Sequence, residues 1–426
     1  MKSLASWARV CLIGMVPLFL QAADSAPRWW KGNLHTHSLW SDGDDYPEMI
    51  MDWYHDHGYH FAVLSDHNVL QRGERWSDVL SNKGGIRAYE KYIARFGADW
   101  VESREDGGKL QVRLKALSEY APLFNEPDTF LILQSQEVTD RYLTSPIHIN
   151  VTHLNEVLKP QGGDSVLDVM QNNLDMILKR REETGQMLMP HLNHPNFGWA
   201  VTAEELMQLR GESFFEVYNG HPSVHNEGDA THASLERCWD VVLTWRLALL
   251  DLPVMYGIAT DDAHAYHEQR VGLSNAGRGW VMVRSRELTP EHLIRAMEAG
   301  DFYASSGVNL EKIEHQGGQI SLSIAAEPGV SYITQFFGTR VGFDQSHEPF
   351  RAGDGNPIRV THQYDNSVGE MLAEVSGTRP SYKLEGDEIY VRAKVVSTKP
   401  MGNPYREGEM ECAWIQPVAY QSLPTR

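Results

Sequence analysis

Along the chain, short apolar runs alternate with longer segments of helical periodicity. The runs are Lys31–His37, His60–Ser65, Phe130–Gln134, Ile147–Thr152, Gln186–Pro190, Phe214–Tyr218 and Val254–Thr260. Several are rich in Val, Ile and Phe, as buried strands are. Between them, Asp45–His57 carries apolar residues at helical spacing up to Gly58, and Ser165–Glu183 does so up to Gly185. Thr202-Ala203-Glu204-Glu205 is a capping box, with Gly211 closing the helix. Ala233–Leu250 is amphipathic ahead of Pro253, and Thr289-Pro290-Glu291 opens a helix through Ala299 that stops at Gly300. Alternating strands and helices predict a parallel sheet. Seven strands predict a barrel related to the (β/α)8 design, with an open sheet as the alternative.

Three stretches depart from this pattern. Gln71–Asp128 is a charged, aromatic insertion between the second and third strands. It is expected to be helical with a Gly107-Gly108 turn, either a cap over the site mouth or a surface elaboration. After Gly307 the runs Ile320–Ala325, Ser331–Phe337, Gly355–Tyr364, Met371–Val375 and Glu388–Val396 alternate between Gly and Pro punctuation, which predicts an all-β domain over 309–426. At the other end, Lys2 and Arg9 precede an apolar stretch Val10–Leu20, followed by Ala22 and Ala23. Residues 1–23 therefore read as a secretory signal peptide, with an uncleaved anchor as the alternative, and the protein as periplasmic or secreted, with no integral membrane span after cleavage. Residues 28–308 are left for the barrel.

Composition changes this picture little. Of 426 residues, 42% are hydrophobic and 22% charged, ordinary for a soluble globular chain of two or three domains. Lys and Arg total 38 against 57 Asp and Glu, a formal charge of -19, which argues against nucleic acid as a partner. A small anionic substrate stays possible, because bound cations would dominate the local field. Cys11 lies in the leader without a lipobox. Cys238 and Cys412 have spacing for no metal cluster, and their spacing does not show whether they pair. A metal site here must be built from nitrogen and oxygen.

Such donors gather at the ends of the apolar runs. His35 and His37 alternate on one strand and so share a face. Asp42 follows in a Ser-Asp-Gly turn, and His67, Glu137, His148, His194, Asp262 and His264 come at or near later run ends. Singly, most would read as an Asx turn, a solvated loop or a satisfied core histidine. Together they read as a multinuclear metal site for hydrolysis.

These same motifs resemble the PHP family, the polymerase and histidinol phosphatase metallohydrolases. Its pattern of His-x-His with Ser-Asp-Gly, Asp-His, an isolated Glu, a His, a His-Pro and Asp-x-His matches this chain over residues 33–264. The resemblance implies a distorted (β/α)7 TIM-like barrel and a site of three divalent ions, Zn, Mn or Fe by donor type. It implies that Glu137 bridges two ions, His35, His37 and Asp262 holding one and His148 and His194 the other. Asp42, His67 and His264 would hold the third. Glu137, Asp262 and His194 are then the catalytic residues, around a hydroxide formed from a water shared between ions. His191 competes with His194, and His153 with His148; the His-Pro context and the family spacing favour His194 and His148. The insertion, Asn193-His194-Pro195-Asn196, Glu216-Val217-Tyr218-Asn219-Gly220 and Leu288–Ser306 look like the branch that includes carbaryl hydrolase.

Asn219, His221, His267 and Arg270 are candidates for substrate binding, with Arg278 as a further phosphate-binding arginine and Trp76, Trp199 and Trp280 as pocket or core aromatics. The expected function is a metal-dependent phosphoesterase acting on a small phosphorylated molecule. An amide or carbamate hydrolase is the alternative, a nuclease a weaker one, and a non-catalytic metal-stabilised binding protein the alternative of another class.

Overall fold

The computed structural model describes residues 26–420; the expected leader, with Cys11, lies outside them. Twelve strands come first: β1 (Arg28–Asn33), β2 (Phe61–Leu64), β3 (Arg75–Asp78), β4 (Ser103–Asp106), β5 (Lys109–Leu114), β6 (Leu131–Tyr142), β7 (Ser145–Thr152), β8 (Met189–Leu192), β9 (Phe214–Asn219), β10 (Tyr256–Thr260), β11 (Trp280–Ser285) and β12 (Phe302–Ser305). The helices are α1 (Pro47–Asp56), α2 (Gly85–Phe96), α3 (Leu117–Phe124), α4 (Val166–Thr184), α5 (Ala203–Leu206), α6 (Leu235–Ala248) and α7 (Pro290–Glu298). The chain is thus mixed α/β.

Period-two alternation in β2 shows how the strands sort their faces. Phe61 and Val63 pack with Trp30, Leu133, Met189, Phe214 and Ile258, residues drawn from strands on every side. Ala62 and Leu64 point the other way, against Ile50, Met51 and Tyr54 of α1. Helix α1 starts at Pro47, whose fixed φ suits a first turn. α4 is capped by the Ser165 hydroxyl and ends at Gly185, which has φ 69°. The Thr202 capping box forms, but its helix stops at Leu206, short of Gly211.

The seven strands that carry the site run in the order β10-β9-β8-β7-β6-β2-β1. The expected parallel direction holds for β1–β2, β2–β6, β8–β9 and β9–β10. It fails at β7, which is antiparallel to both β6 and β8. Only Leu143 and Thr144 separate β6 from β7, too few for a crossover helix, so the second strand must return antiparallel. At the ends of this run, a parallel bridge joins Thr36 to Ala263. The His37 N–H donates to the Ala263 carbonyl at 2.9 Å and the Asp262 N–H to the His35 carbonyl at 3.0 Å. The segments following β1 and β10 therefore meet.

The insertion is not wholly helical. β3, β5 and β4 form a three-stranded antiparallel sheet beside α2 and α3. Gly107 and Gly108 have φ 57° and 76° and close the β4–β5 hairpin between Asp106 and Lys109, the left-handed pair a two-residue hairpin loop requires.

Beyond β12 the chain is all strand: β13 (Leu310–Gln316), β14 (Gln319–Ile324), β15 (Tyr332–Arg340), β16 (His347–Glu348), β17 (Gln363–Tyr364), β18 (Glu370–Ser376), β19 (Ser381–Lys383), β20 (Glu388–Pro400) and β21 (Met410–Ala419). Of the expected run Gly355–Tyr364, only the last two residues are strand. The antiparallel strands β11 and β12 connect β1 to β21, β20, β15 and β18, so these later strands continue the same 13-stranded sheet. Cys238 and Cys412 are buried free thiols. Among the described residues, no helix is long and apolar enough to cross a membrane.

Candidate metal centre

The structure brings all nine candidate ligands into one cluster of overlapping groups. His35 and His37 follow β1, and their Nε2 atoms face each other at 3.1 Å. Both also lie 3.3 Å from Asp262 Oδ1, beyond the end of β10. Glu137 lies mid-strand in β6 and is fully buried. Its Oε1 is 3.5 Å from His35 Nε2 and its Oε2 3.3 Å from His37 Nε2. His148 lies near the start of β7, not at its end. Because β7 runs antiparallel, its start stands at the same edge as its neighbours' ends, and His148 Nδ1 reaches Glu137 Oε1 at 2.9 Å. His194 Nε2 is 3.6 Å from the same oxygen. Asp42 Oδ1 meets His264 Nε2, His67 Nε2 and His37 Nδ1 at 3.3, 3.5 and 3.6 Å.

Of the alternatives, His153 turns away, its Nδ1 donating to the Met187 carbonyl at 3.1 Å. His191 is buried behind the cluster, 3.6 Å from Glu216 Oε1, with neither ring nitrogen hydrogen-bonded. Two ligand positions have left-handed backbone, Asp262 at φ 48° and His194 at φ 21°. Such conformations cost stability and collect at functional sites.

The electrostatics keep the acids ionised. Burial pushes the Glu137 carboxyl up, but His67, His148 and His35 outweigh it and hold it well below the usual range. Asp262 is held low against burial by His35, His37 and His264. Among the imidazoles, burial beside His264 brings His37 down to about 3. His35 goes the other way: burial opposes its charge, yet Asp262, Glu216 and Glu137 raise it well above its ordinary value.

Buried donors of both kinds thus crowd together without satisfying one another. Glu137 Oε2 lies 2.8 Å from His67 Nδ1, yet it has no directed hydrogen bond, and nor has His148 Nδ1. Buried polar atoms left this way are costly unless a cation takes up their lone pairs. Ionised carboxylates with imidazole nitrogens suit Zn, Mn or Fe.

Several residues that support the cluster were quoted in motifs from the sequence but given no role in it. Glu216 in β9 is fully buried. Its Oε1 accepts from His35 Nδ1 at 2.7 Å and from Thr260 Oγ1 at 2.8 Å, and its Oε2 accepts from the His194 N–H at 2.8 Å. A carboxylate behind a ligating imidazole fixes which nitrogen faces the metal. The signal for it was the one that found Glu137, an acid inside an apolar run. Asn193 Nδ2 donates to Glu137 Oε1 at 2.7 Å. Asp66 holds the turn bearing Asp42: its Oδ1 accepts from the Ser38 N–H at 2.8 Å and from Ser41 Oγ at 2.6 Å.

The candidates for substrate binding divide. Asn219 is buried and donates to Glu216 Oε2 at 2.8 Å and Asp262 Oδ2 at 3.2 Å, so it positions acids. His221 stands 5.5 Å from the His264 ring, and burial brings it down to about 4. Its Nδ1 accepts from the Ser223 N–H at 3.1 Å, which leaves the ring proton on Nε2. His267 and Arg270 do not join the cluster. His267 Nε2 donates to the Asp44 carbonyl at 2.8 Å, and the exposed Arg270 pairs with Glu268 at 3.1 Å. Arg278 is buried and donates to the Gly220 and Pro404 carbonyls at 2.8 and 3.1 Å, which makes it a brace between loops and not a phosphate clamp. Trp280 is core, Trp199 stacks between His225 and His232, and Trp76 lies under Arg104.

No family model and no curated protein matches the chain. Solved structures do. One is a two-domain protein from Bacteroides vulgatus, described as containing a predicted PHP-like metal-dependent phosphoesterase. It is 14% identical with a TM-score of 0.36, and the match covers 93% of this chain and 97% of that one. Another, from Bifidobacterium adolescentis, is described as a candidate metal-dependent phosphoesterase; it is 12% identical with a TM-score of 0.28, and the match covers 56% of this chain and 89% of that one. At such scores neither likeness specifies a correspondence between residues.

Proposed function

We propose that the chain is a metal-dependent hydrolase of the PHP type, acting as a phosphoesterase on a small phosphorylated molecule. The observation that carries this reading is the convergence of nine nitrogen and oxygen donors on a buried, ionised Glu137. In this reading His35, His37 and Asp262 would hold one divalent ion and His148 and His194 a second, with Glu137 contributing to that pair. Asp42, His67 and His264 would hold a third. Ions bound there supply Lewis acidity toward a phosphoryl oxygen and acidify water.

The chain's own groups do the rest. Glu216 aims the His35 ring. Asn219 and Asn193 keep Asp262 and Glu137 in place by donating to them. His221, neutral near pH 7, offers its Nε2–H to a substrate oxygen. The same proposal takes the seven site strands as a distorted (β/α)7 barrel over residues 28–308, with 71–128 as its cap and 309–426 as a second domain. It also takes the mature protein to be exported, on the pattern from Lys2 to Ala23. Assays of the metal-loaded protein on nitrophenyl phosphate and on an aryl carbamate test the chemistry. Turnover of the phosphate is expected; turnover of the carbamate alone would replace the phosphoesterase reading with an amide or carbamate hydrolase.

A further inference from the structure

The insertion reaches the cluster with one side chain. Lys83, in the turn before α2, has its Nζ 3.2 Å from Asp42 Oδ2. Asp42 faces two ways. Its Oδ1 is turned to the ring nitrogens of His264, His67 and His37, and its Oδ2 to the ammonium. The ammonium thus lies one carboxylate's width from a candidate ligand group, on its solvent side: the Lys83 and Asp42 side chains are 58% and 40% exposed.

The turn bearing Lys83 is held tightly in place. A Cβ at Gly84 would stand 2.3 Å from the Asp44 carbonyl oxygen, so only glycine allows this approach to the Asp42 turn. Lys83, Arg87 and Lys91 recur every four residues and face the same rim. Arg87 donates to the His267 carbonyl, and Lys91 Nζ donates to His267 Nδ1 at 3.0 Å. His267 in turn bonds the Asp44 carbonyl. Arg87 and Lys91 therefore fasten the insertion to the rim, whereas Lys83 turns its charge on the cluster.

Asp42 Oδ2 takes one of the three donors of the Lys83 ammonium, and the exposed remainder faces an anion entering beside the candidate ligands. In a chain of formal charge -19, a cation held at this spot runs against the prevailing sign. We infer that Lys83 is a substrate-binding residue that takes a non-bridging oxygen of the phosphoryl group of the substrate class proposed above. This deepens the hydrolase reading and rests on it for the metal centre. The competing role is a buttress that only holds Asp42 in place.

The test measures inorganic phosphate binding to metal-loaded protein by calorimetry, for the natural chain, Lys83→Gln and Lys83→Arg, with metal content determined on each sample. Lys83→Gln is expected to weaken phosphate binding by about tenfold or more, the size of a charge-assisted contact. Metal content should be unchanged, and Lys83→Arg should restore most of the affinity. In turnover, Lys83→Gln should lower kcat/KM for nitrophenyl phosphate by about the same factor through KM. Unchanged phosphate affinity in Lys83→Gln, no phosphate binding by the natural chain, or loss of metal from Lys83→Gln would each overturn the inference. Lys83-dependent phosphate binding without turnover of any phosphate ester would sink the hydrolase reading and leave the anion site standing. Turnover indifferent to Lys83 would do the reverse.

Discussion

Two of the groups of buried charge among the described residues are built differently. Where α6 packs on the later strands, Asp240 accepts from Arg392 Nε at 2.7 Å, from its terminal nitrogen at 2.6 Å and from Tyr390 Oη at 2.8 Å. The guanidinium also lies 4.6 Å from the centre of the Phe337 ring and 5.0 Å from that of Trp239. Fork matches carboxylate, and the charges close on each other. At the strand ends, two imidazole nitrogens face each other at 3.1 Å and both face one oxygen of Asp262. Glu137 Oε2 and His148 Nδ1 are buried without a directed hydrogen bond. The first group closes its charges in a bidentate pair, with Arg392 Nη1 alone lacking a directed bond, 3.6 Å from Glu236 Oε2. The second is arranged to receive something, and geometry distinguishes the two where a count of buried charges would not.

Substitution should separate them most strongly. Glu137→Ala is expected to lower turnover of nitrophenyl phosphate by about a thousandfold or more and to reduce bound metal. Asp240→Ala should cost about 3–5 kcal/mol of stability in chemical denaturation, because it leaves Arg392 buried without its carboxylate, while the metal content of the folded fraction stays as it was. If both variants lost metal alike, or both only stability, the distinction would fail.

Chelation comes next. Removing ions should lower the thermal midpoint of the natural chain, by the equivalent of about 4 kcal/mol if they were present at a thousand times their Kd, and refilling should restore it. In Glu137→Ala the same treatment should move the midpoint much less. Glu216→Gln keeps the shape but weakens the hold on His35 Nδ1; metal titration should show affinity reduced by about 10–100-fold with the fold intact.

The smallest effect concerns a third way of burying an acid. Burial pushes the Glu212 carboxyl up to about 8, with the Ser213 and Phe214 N–H groups and Arg246 opposing only in part. Its folded value lies above its unfolded one, so its contribution is fully present below about pH 4.5 and is lost as pH rises through 8. Glu212→Gln should flatten the fall in thermal midpoint across that window, by about 1–3 kcal/mol. An unchanged profile would mean that Glu212 is ionised in the fold, as Asp262 is.

Much of the site could be read from residue order alone, because its donors follow apolar runs and strands bring their ends to one edge. His35 and His37 stand just past the end of β1 and not on the strand, and Glu137 stands mid-strand in β6 and not at its end, yet the three meet. What could not be read was direction. β7 runs antiparallel through a turn at Leu143-Thr144 that has neither Gly nor Asn, so nothing local announced a hairpin, although Leu143 adopts φ 52°. The Gly107-Gly108 hairpin did carry its signal, which was read as a turn between helices. Nor can residue type say where a long cation goes: Arg278 braces carbonyls of distant loops, and Lys83, unremarkable in the sequence, ends beside Asp42.

The central claim is that the strand-end cluster is a multinuclear metal centre. Metal analysis of the purified full chain after reconstitution with Zn, Mn or Fe tests it most directly. The account predicts more than one tightly held divalent ion per chain, lost on Glu137→Ala. A metal content near zero in the folded, reconstituted protein would contradict it.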